Sequence, residues 1–139
     1  MSAQNTTTGD DLADLVAVAR RVAQERYAPM AEEADRARQT LPPEERRYLA
    51  SLGWLGIALP ERFGGAGGTF RQALAVIEEL AKVYVPAAFQ VFEANVGPAQ
   101  HVNRLGTEEQ RKRYLPAVIA GELTMAIGIS EPDAGSAAT

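Results

Sequence analysis

The last stretch of the chain, T-M-A-I-G-I-S-E-P-D-A-G-S-A-A-T at Thr124–Thr139, is the feature that most restricts what this sequence can fold into. Met125, Ile127 and Ile129 alternate with Ala126, Gly128 and Ser130, and Leu123 precedes them in phase. This is the two-residue period of a half-buried strand. A turn follows at once. Pro132 fixes its own φ and biases Glu131 toward extended backbone, Asp133 can bond its own main chain, and Gly135 lets a ligand approach closely. Ser130 and Ser136 place a small hydroxyl on either side of that acidic corner. The chain upstream reads as four or five helices joined by turns and a buried loop. A lone strand after helices leaves a row of amides and carbonyls unpaired, so the expected sheet lies in residues beyond these or in another chain.

In chain order, residues 1–9 read as a flexible tail with almost nothing to bury. Leu12, Leu15, Val16, Ala19, Val22 and Ala23 recur at helical spacing, opposite Arg20, Arg21 and Glu25. Pro29 predicts a kink or break near Glu25–Ala28, after which Met30–Arg38 resumes. The charges Glu32, Glu33, Asp35, Arg36 and Arg38 read as a solvated face. Pro42-Pro43 opens a second helix that Gly53 stops. Trp54, Leu55, Ile57 and Leu59 then predict a buried loop ending at Pro60 rather than a strand, because Gly56 interrupts them.

The run Gly64–Gly68 lacks both the lysine of a phosphate loop and the G-x-G-x-x-G spacing, so it reads as a hinge-like turn. Thr69 and Gln72 form a capping box for a helix whose apolar face is Phe70, Leu74, Ile77 and Ala81. Glu78 and Glu79 point about 100° apart on that helix and read as surface charges, not a cooperating carboxylate pair. Pro86 opens another helix, interrupted at Gly97-Pro98. Phe89, Phe92, Glu93 and Val96 share one face of it, and a glutamate there needs water, a partner or a cavity. His101 beyond the interruption reads as an ordinary surface or core histidine. A second capping box, Thr107 with Gln110, starts a helix carrying Arg111-Lys112-Arg113, and Pro116 is expected to break it before a last turn at 117–120.

Composition excludes several classes. A net charge of −4 gives no electrostatic reason to expect nucleic acid or an anionic membrane as partner. Without cysteine there is no disulfide or thiolate site, and one histidine argues against a metal centre. The start M-S-A-Q-N-T-T-T-G lacks the apolar core of a signal peptide and no apolar run could span a bilayer, so a cytoplasmic location is the default expectation.

The residues S-E-P-D-A-G-S at Ser130–Ser136 resemble the signature that opens the middle β-domain of the acyl-CoA dehydrogenase family. The stretches L-G-W-L-G-I-A-L-P-E-R-F-G-G-A-G-G (Leu52–Gly68), I-E-E-L-A (Ile77–Ala81) and G-T-E-E-Q-R-K-R-Y-L-P (Gly106–Pro116) resemble that family's N-terminal landmarks in order and spacing. The resemblance implies an all-α fold: the orthogonal N-terminal helical bundle over residues 10–123, with 124–139 as the first strand of a truncated β-domain. It also implies FAD, with Ile127, Ile129 and Ser130 along the flavin ring. Gly135 and Ser136 would then meet the cofactor or the pantetheine arm of an acyl-CoA or other acyl thioester. Phe89, Gln90, Glu93 and Gly97 become candidate liners of the acyl pocket. Ala137 departs from the aspartate usual at its position, which puts the turn's hydrogen bonding in doubt.

The reaction so implied is α,β-dehydrogenation of an acyl thioester, with the flavin as redox group. In most members the catalytic glutamate lies in the C-terminal domain, so no catalytic residue is carried over. The whole protein is expected to be a homo-oligomer that hands electrons to a transfer partner. An acyl-CoA oxidase and a dehydrogenase of carrier-bound acyl groups are alternatives within the superfamily. From other classes come a helical interaction module whose strand augments a partner's sheet, and a plain helical bundle without ligand.

Overall fold

A computed structural model describes residues 9–133 and 135. The tail at 1–8, together with Ser136 and Ala137, lies outside the described residues. Among those described, seven α-helices follow one another: α1 (Gly9–Val22), α2 (Ala28–Arg36), α3 (Pro43–Ser51), α4 (Phe70–Ala81), α5 (Val85–Asn95), α6 (Pro98–Leu105) and α7 (Glu108–Ile119). Their boundaries follow from local chemistry. Pro43, Pro86 and Pro98 occupy first turns, where a missing N–H costs nothing. Thr69 and Thr107 each accept from the backbone of a glutamine three residues on, closing both capping boxes. Gly53, in the left-handed region at φ 75°, ends the turn after α3.

The interruption expected near Glu25–Ala28 takes the form of a widened turn, and the break expected at Pro116 does not occur. Pro29 does not break the first helix. A five-residue π-turn, Ala23–Tyr27, joins α1 to α2, and the Ala28 N–H donates to the Ala23 carbonyl. The wider turn takes up the bond pattern that proline disrupts. Pro116 sits inside α7 and does not end it, for the Ala120 N–H still donates to the Pro116 carbonyl at 2.9 Å. Pro116 faces solvent, so water can serve the carbonyl that it leaves without a partner.

The core is formed by Tyr27, Leu49, Leu55, Leu59, Val76 and Leu80 with the smaller residues between them, all fully buried. On α4 this core takes Ala73, Val76 and Leu80. The expected face of Phe70, Leu74, Ile77 and Ala81 is a second apolar stripe, and Phe70 and Leu74 are exposed. Glu79 also departs from the reading as a surface charge. It is 5% exposed, accepts from Arg20 Nε (3.0 Å) and Nη2 (3.2 Å) on α1, and accepts from Lys82 Nζ at 2.7 Å. Glu78 is the solvated member, paired with Lys82 at 3.0 Å. The Arg20 and Lys82 bonds hold the Glu79 carboxyl well below its ordinary 4.5, at about 2.

A depressed carboxyl pKa stabilises the fold above the unfolded value and loses that contribution as pH falls through the folded value. The stability difference between the wild type and Glu79→Gln is therefore expected to be full at pH 7 and to shrink between about pH 4.5 and pH 2. Urea midpoints for both proteins across that range test it. A difference that stays constant down to pH 2 would contradict the assignment.

The buried loop forms as expected, as a 3₁₀ turn at Trp54–Gly56 followed by tight turns. The glycine run beside it is no hinge. Ala66, Gly67 and Gly68 donate their N–H groups to the carbonyls of Gly56 (2.8 Å), Leu59 (2.9 Å) and Ile57 (2.7 Å), and Gly65 donates to Pro60 at 3.1 Å. Those amides are consumed by the loop and cannot cradle a phosphate.

The expected strand at the chain's end forms no ladder among the described residues. Among the described residues, 123–130 carry no regular secondary structure, and Glu131 takes part in an isolated β-bridge. A strand is held by a neighbour's amides and carbonyls, and the helices cannot supply them.

Candidate functional site

α5 carries most of the candidate site. Phe89 and Phe92, three apart, stack with ring centroids 5.6 Å apart. With Ile77 and Ala81 of α4, and Val85 and Ala88 of α5, they line an open groove of about 190 Å³ without a polar group in its wall. Phe89 is 52% exposed. An apolar groove on a helix pair, half open, suits an alkyl or aryl group and offers nothing to a charged one. A second cleft of about 370 Å³ lies on the other side of Phe89, where Thr40, Leu41, Pro86 and Gln90 meet it.

Gln90 and Glu93 face the neighbouring α3. Arg46 Nη1 donates to Gln90 Oε1, and Arg46 Nη2 donates to the Leu123 carbonyl at 2.6 Å. Burial pushes the Glu93 carboxyl up, opposed by the Arg46 charge; burial pushes Arg46 down, opposed by Glu93. The Glu93 carboxylate on α5 thus feels the Arg46 charge on α3, and the two act on each other in opposite senses to burial. Gly97 closes α5, and a Cβ there would sit 3.3 Å from the Glu93 Cα and 3.5 Å from the Phe92 ring. It is a packing position and lines neither cleft.

Beyond Leu123, the candidate flavin residues follow an open segment. Leu123 and Met125 are half-buried, whereas Ile127 is 45% and Ile129 66% exposed, with Ser130 and Gly135 also exposed. Exposed β-branched side chains beside backbone groups that, among the described residues 123–130, enter no ladder are of a chemistry that fits against a flat, amide-edged ring such as a flavin. Phe89, Gln90 and Glu93 are brought together on α5. Arg46 joins Gln90 to the start of the flavin-candidate segment.

Two of the buried polar residues that escaped the sequence reading bear on the site. Asn95 is fully buried: it accepts from the Ala58 N–H at 2.9 Å and donates to the carbonyls of Trp54 (2.7 Å) and Val91 (2.9 Å), seating the buried loop on α5. Arg46 is the other. It shares an α3 face with Leu49 and Ala50, and the reasoning that singled out Glu93 on α5 would have singled out this arginine as well. Among the described residues, no group of three or more His, Cys, Asp or Glu could hold a metal ion, and no helix is long and apolar enough to cross a membrane.

Residues 9–122 match the family model for the N-terminal domain of acyl-CoA dehydrogenases. The chain is 39% identical over 126 residues to a 3-sulfinopropanoyl-CoA desulfinase of Variovorax paradoxus, covering 91% of this chain and 31% of that protein. It is 35% identical over 114 residues to the mitochondrial isovaleryl-CoA dehydrogenase of Bos taurus, covering 81% and 27% respectively. The chain thus spans about a third of the length of the curated relatives it matches. Among solved structures, a glutaryl-CoA dehydrogenase from Mycobacterium smegmatis in complex with FADH2 superposes with a TM-score of 0.84 at 28% identity, over 94% of this chain and 33% of that one.

Proposed function

Because this chain belongs to the acyl-CoA dehydrogenase family through that family's N-terminal domain, we propose that it supplies one wall of the acyl pocket and one edge of the flavin site in a flavin-dependent acyl-CoA dehydrogenase. The reaction is α,β-dehydrogenation of an acyl thioester. The flavin, when bound, supplies the redox chemistry by taking up the hydride that leaves the β-carbon.

The observation that carries this reading is the uncharged groove of Ile77, Ala81, Val85, Ala88, Phe89 and Phe92. Its side chains would exclude water from the acyl group and hold it along α5. Gln90 and Glu93 stand behind that wall, with Arg46 between them and the outgoing segment. Ile127 and Ile129 would lie against the ring of FAD, with the Ser130 hydroxyl toward its edge; Gly135 and Ser136 would meet the cofactor or the pantetheine arm. No proton-abstracting residue is assigned within the chain. Electron transfer to a partner and assembly into a homo-oligomer belong, on this reading, to the whole protein.

A second reading draws on the 39% identity to the desulfinase. In it the same pocket and flavin serve removal of a group from the acyl-CoA rather than its dehydrogenation. Product analysis on acyl-CoA substrates with and without a β-substituent separates the two.

One wall of a flavin site does not retain the cofactor. The 139-residue chain is therefore expected to purify colourless. A chimera in which it replaces the matching N-terminal part of the bovine isovaleryl-CoA dehydrogenase is expected to hold FAD stoichiometrically. Stoichiometric flavin absorbance on the isolated chain would refute the single-wall geometry, and a folded chimera without flavin would refute the functional reading.

A further inference from the structure

We infer that Arg46 is a positioning residue, a buried clasp that sets where the flavin-candidate segment leaves the helical domain relative to the acyl-pocket helix. The inference rests on the functional reading above, and it assigns a role to a side chain that touches neither ligand.

The geometry is specific. Arg46 is 6% exposed and reaches two elements at once. One end of its guanidinium donates to Gln90 of α5, next in sequence to Phe89 in the groove, and the other donates to the Leu123 carbonyl at 2.6 Å. Leu123 is the last residue before the segment that carries Ile127 and Ile129. The backbone approaches through a tight corner. Gly121 has φ 76°, and a Cβ there would lie 3.1 Å from both the Arg46 carbonyl and the Ala50 Cβ. Glu122 and Leu123 then both donate their N–H groups to the Ala117 carbonyl, at 2.9 and 3.1 Å. Corner and clasp fix the exit at two points on α3.

Arg46 does this at a cost to the fold. Its Nε is buried without a hydrogen-bond partner, and a guanidinium out of water with one donor unpaired is a poor way to fill a helix seam. An apolar side chain would pack there more favourably. What an apolar side chain lacks is a planar fork able to bridge an amide oxygen and a backbone carbonyl at a set distance.

Hydrogen exchange on the full chain tests this without any flavin. Arg46→Lys keeps the charge toward Glu93 but is a point donor that cannot span both acceptors. The Glu122 and Leu123 amides are expected to exchange about tenfold faster, the equivalent of one charged hydrogen bond, while the Leu80 and Val91 amides of the core change less than about twofold. Should Arg46→Lys fail to fold, Arg46→Met with Gln90→Leu replaces the polar pair by apolar side chains. That double variant is expected to protect the Leu80 and Val91 amides as the wild type does and still show the selective increase at Glu122 and Leu123. Unchanged exchange at Glu122 and Leu123, or a rise that parallels Leu80 and Val91, overturns the inference. In the chimera, Arg46→Lys is expected to weaken FAD retention by about tenfold, scaling with the same bond. A chimera with wild-type Arg46 that folds without FAD defeats the functional reading and leaves the clasp to be judged by exchange.

Discussion

Replacing Asn95 by leucine is expected to destabilise the chain by about 4 kcal/mol and to lower its thermal midpoint by on the order of 15 °C. The side chain is fully buried and branches as leucine does, but leucine is the larger of the two, so crowding adds to the loss of its hydrogen bonds. Its amide gives the Ala58 N–H an acceptor and the Trp54 carbonyl a donor. Leucine leaves both without partners, each at about 1–3 kcal/mol. The Val91 carbonyl lies four residues back on the same helix and loses least. Asn95→Asp is expected to fare no better, because a carboxylate cannot donate to Trp54. Denaturant titration of the three proteins measures this, and a leucine variant within about 1 kcal/mol of the wild type would show that the loop is seated by its apolar residues alone.

Gly65→Ala is expected to cost about 3 kcal/mol. A Cβ at Gly65 would sit 2.2 Å from the Leu59 carbonyl oxygen and 2.5 Å from its carbon. Both are backbone atoms held by the hydrogen bonds that stitch residues 56–60 to 65–68, so neither can swing aside. Gly53→Ala is the instructive comparison. Nothing lies within 4 Å of a Cβ there, and its φ of 75° leaves only the conformational penalty, about 1 kcal/mol. Thermal unfolding of the two variants should rank Gly65→Ala well below Gly53→Ala, and equal losses would contradict the close approach.

What could be read in the sequence was mostly what neighbouring residues decide. Both capping boxes, the proline starts of α3 and α5, the stop at Gly53 and the buried loop at Trp54–Leu59 depend on contacts a few residues long. The family resemblance, carried by the ordered motifs, placed the helical domain. Partners far apart along the chain were not legible. Glu79 gave no sign of Arg20, 59 positions away, nor Arg46 of Leu123, 77 away. α4 misled for a different reason: it is apolar on two sides, and periodicity finds a stripe without saying which one the core takes. The end segment alternates as a strand does, but alternation cannot supply the neighbour that a strand needs.

The π-turn at Ala23–Tyr27 makes the spacing between two arginines a counted quantity. Arg20, before it, forks onto Glu79 of α4, and Arg26, within it, forks onto Glu45 of α3 at 2.7 and 2.8 Å. Each residue of a regular helix advances the rod by about 100°, so losing one residue from this run would swing everything downstream through that angle. Arg26 would then face away from Glu45 while Arg20 kept its place. The widened turn acts as a phase shifter, setting the angle at which a single rod presents Arg20 to one neighbour and Arg26 to another.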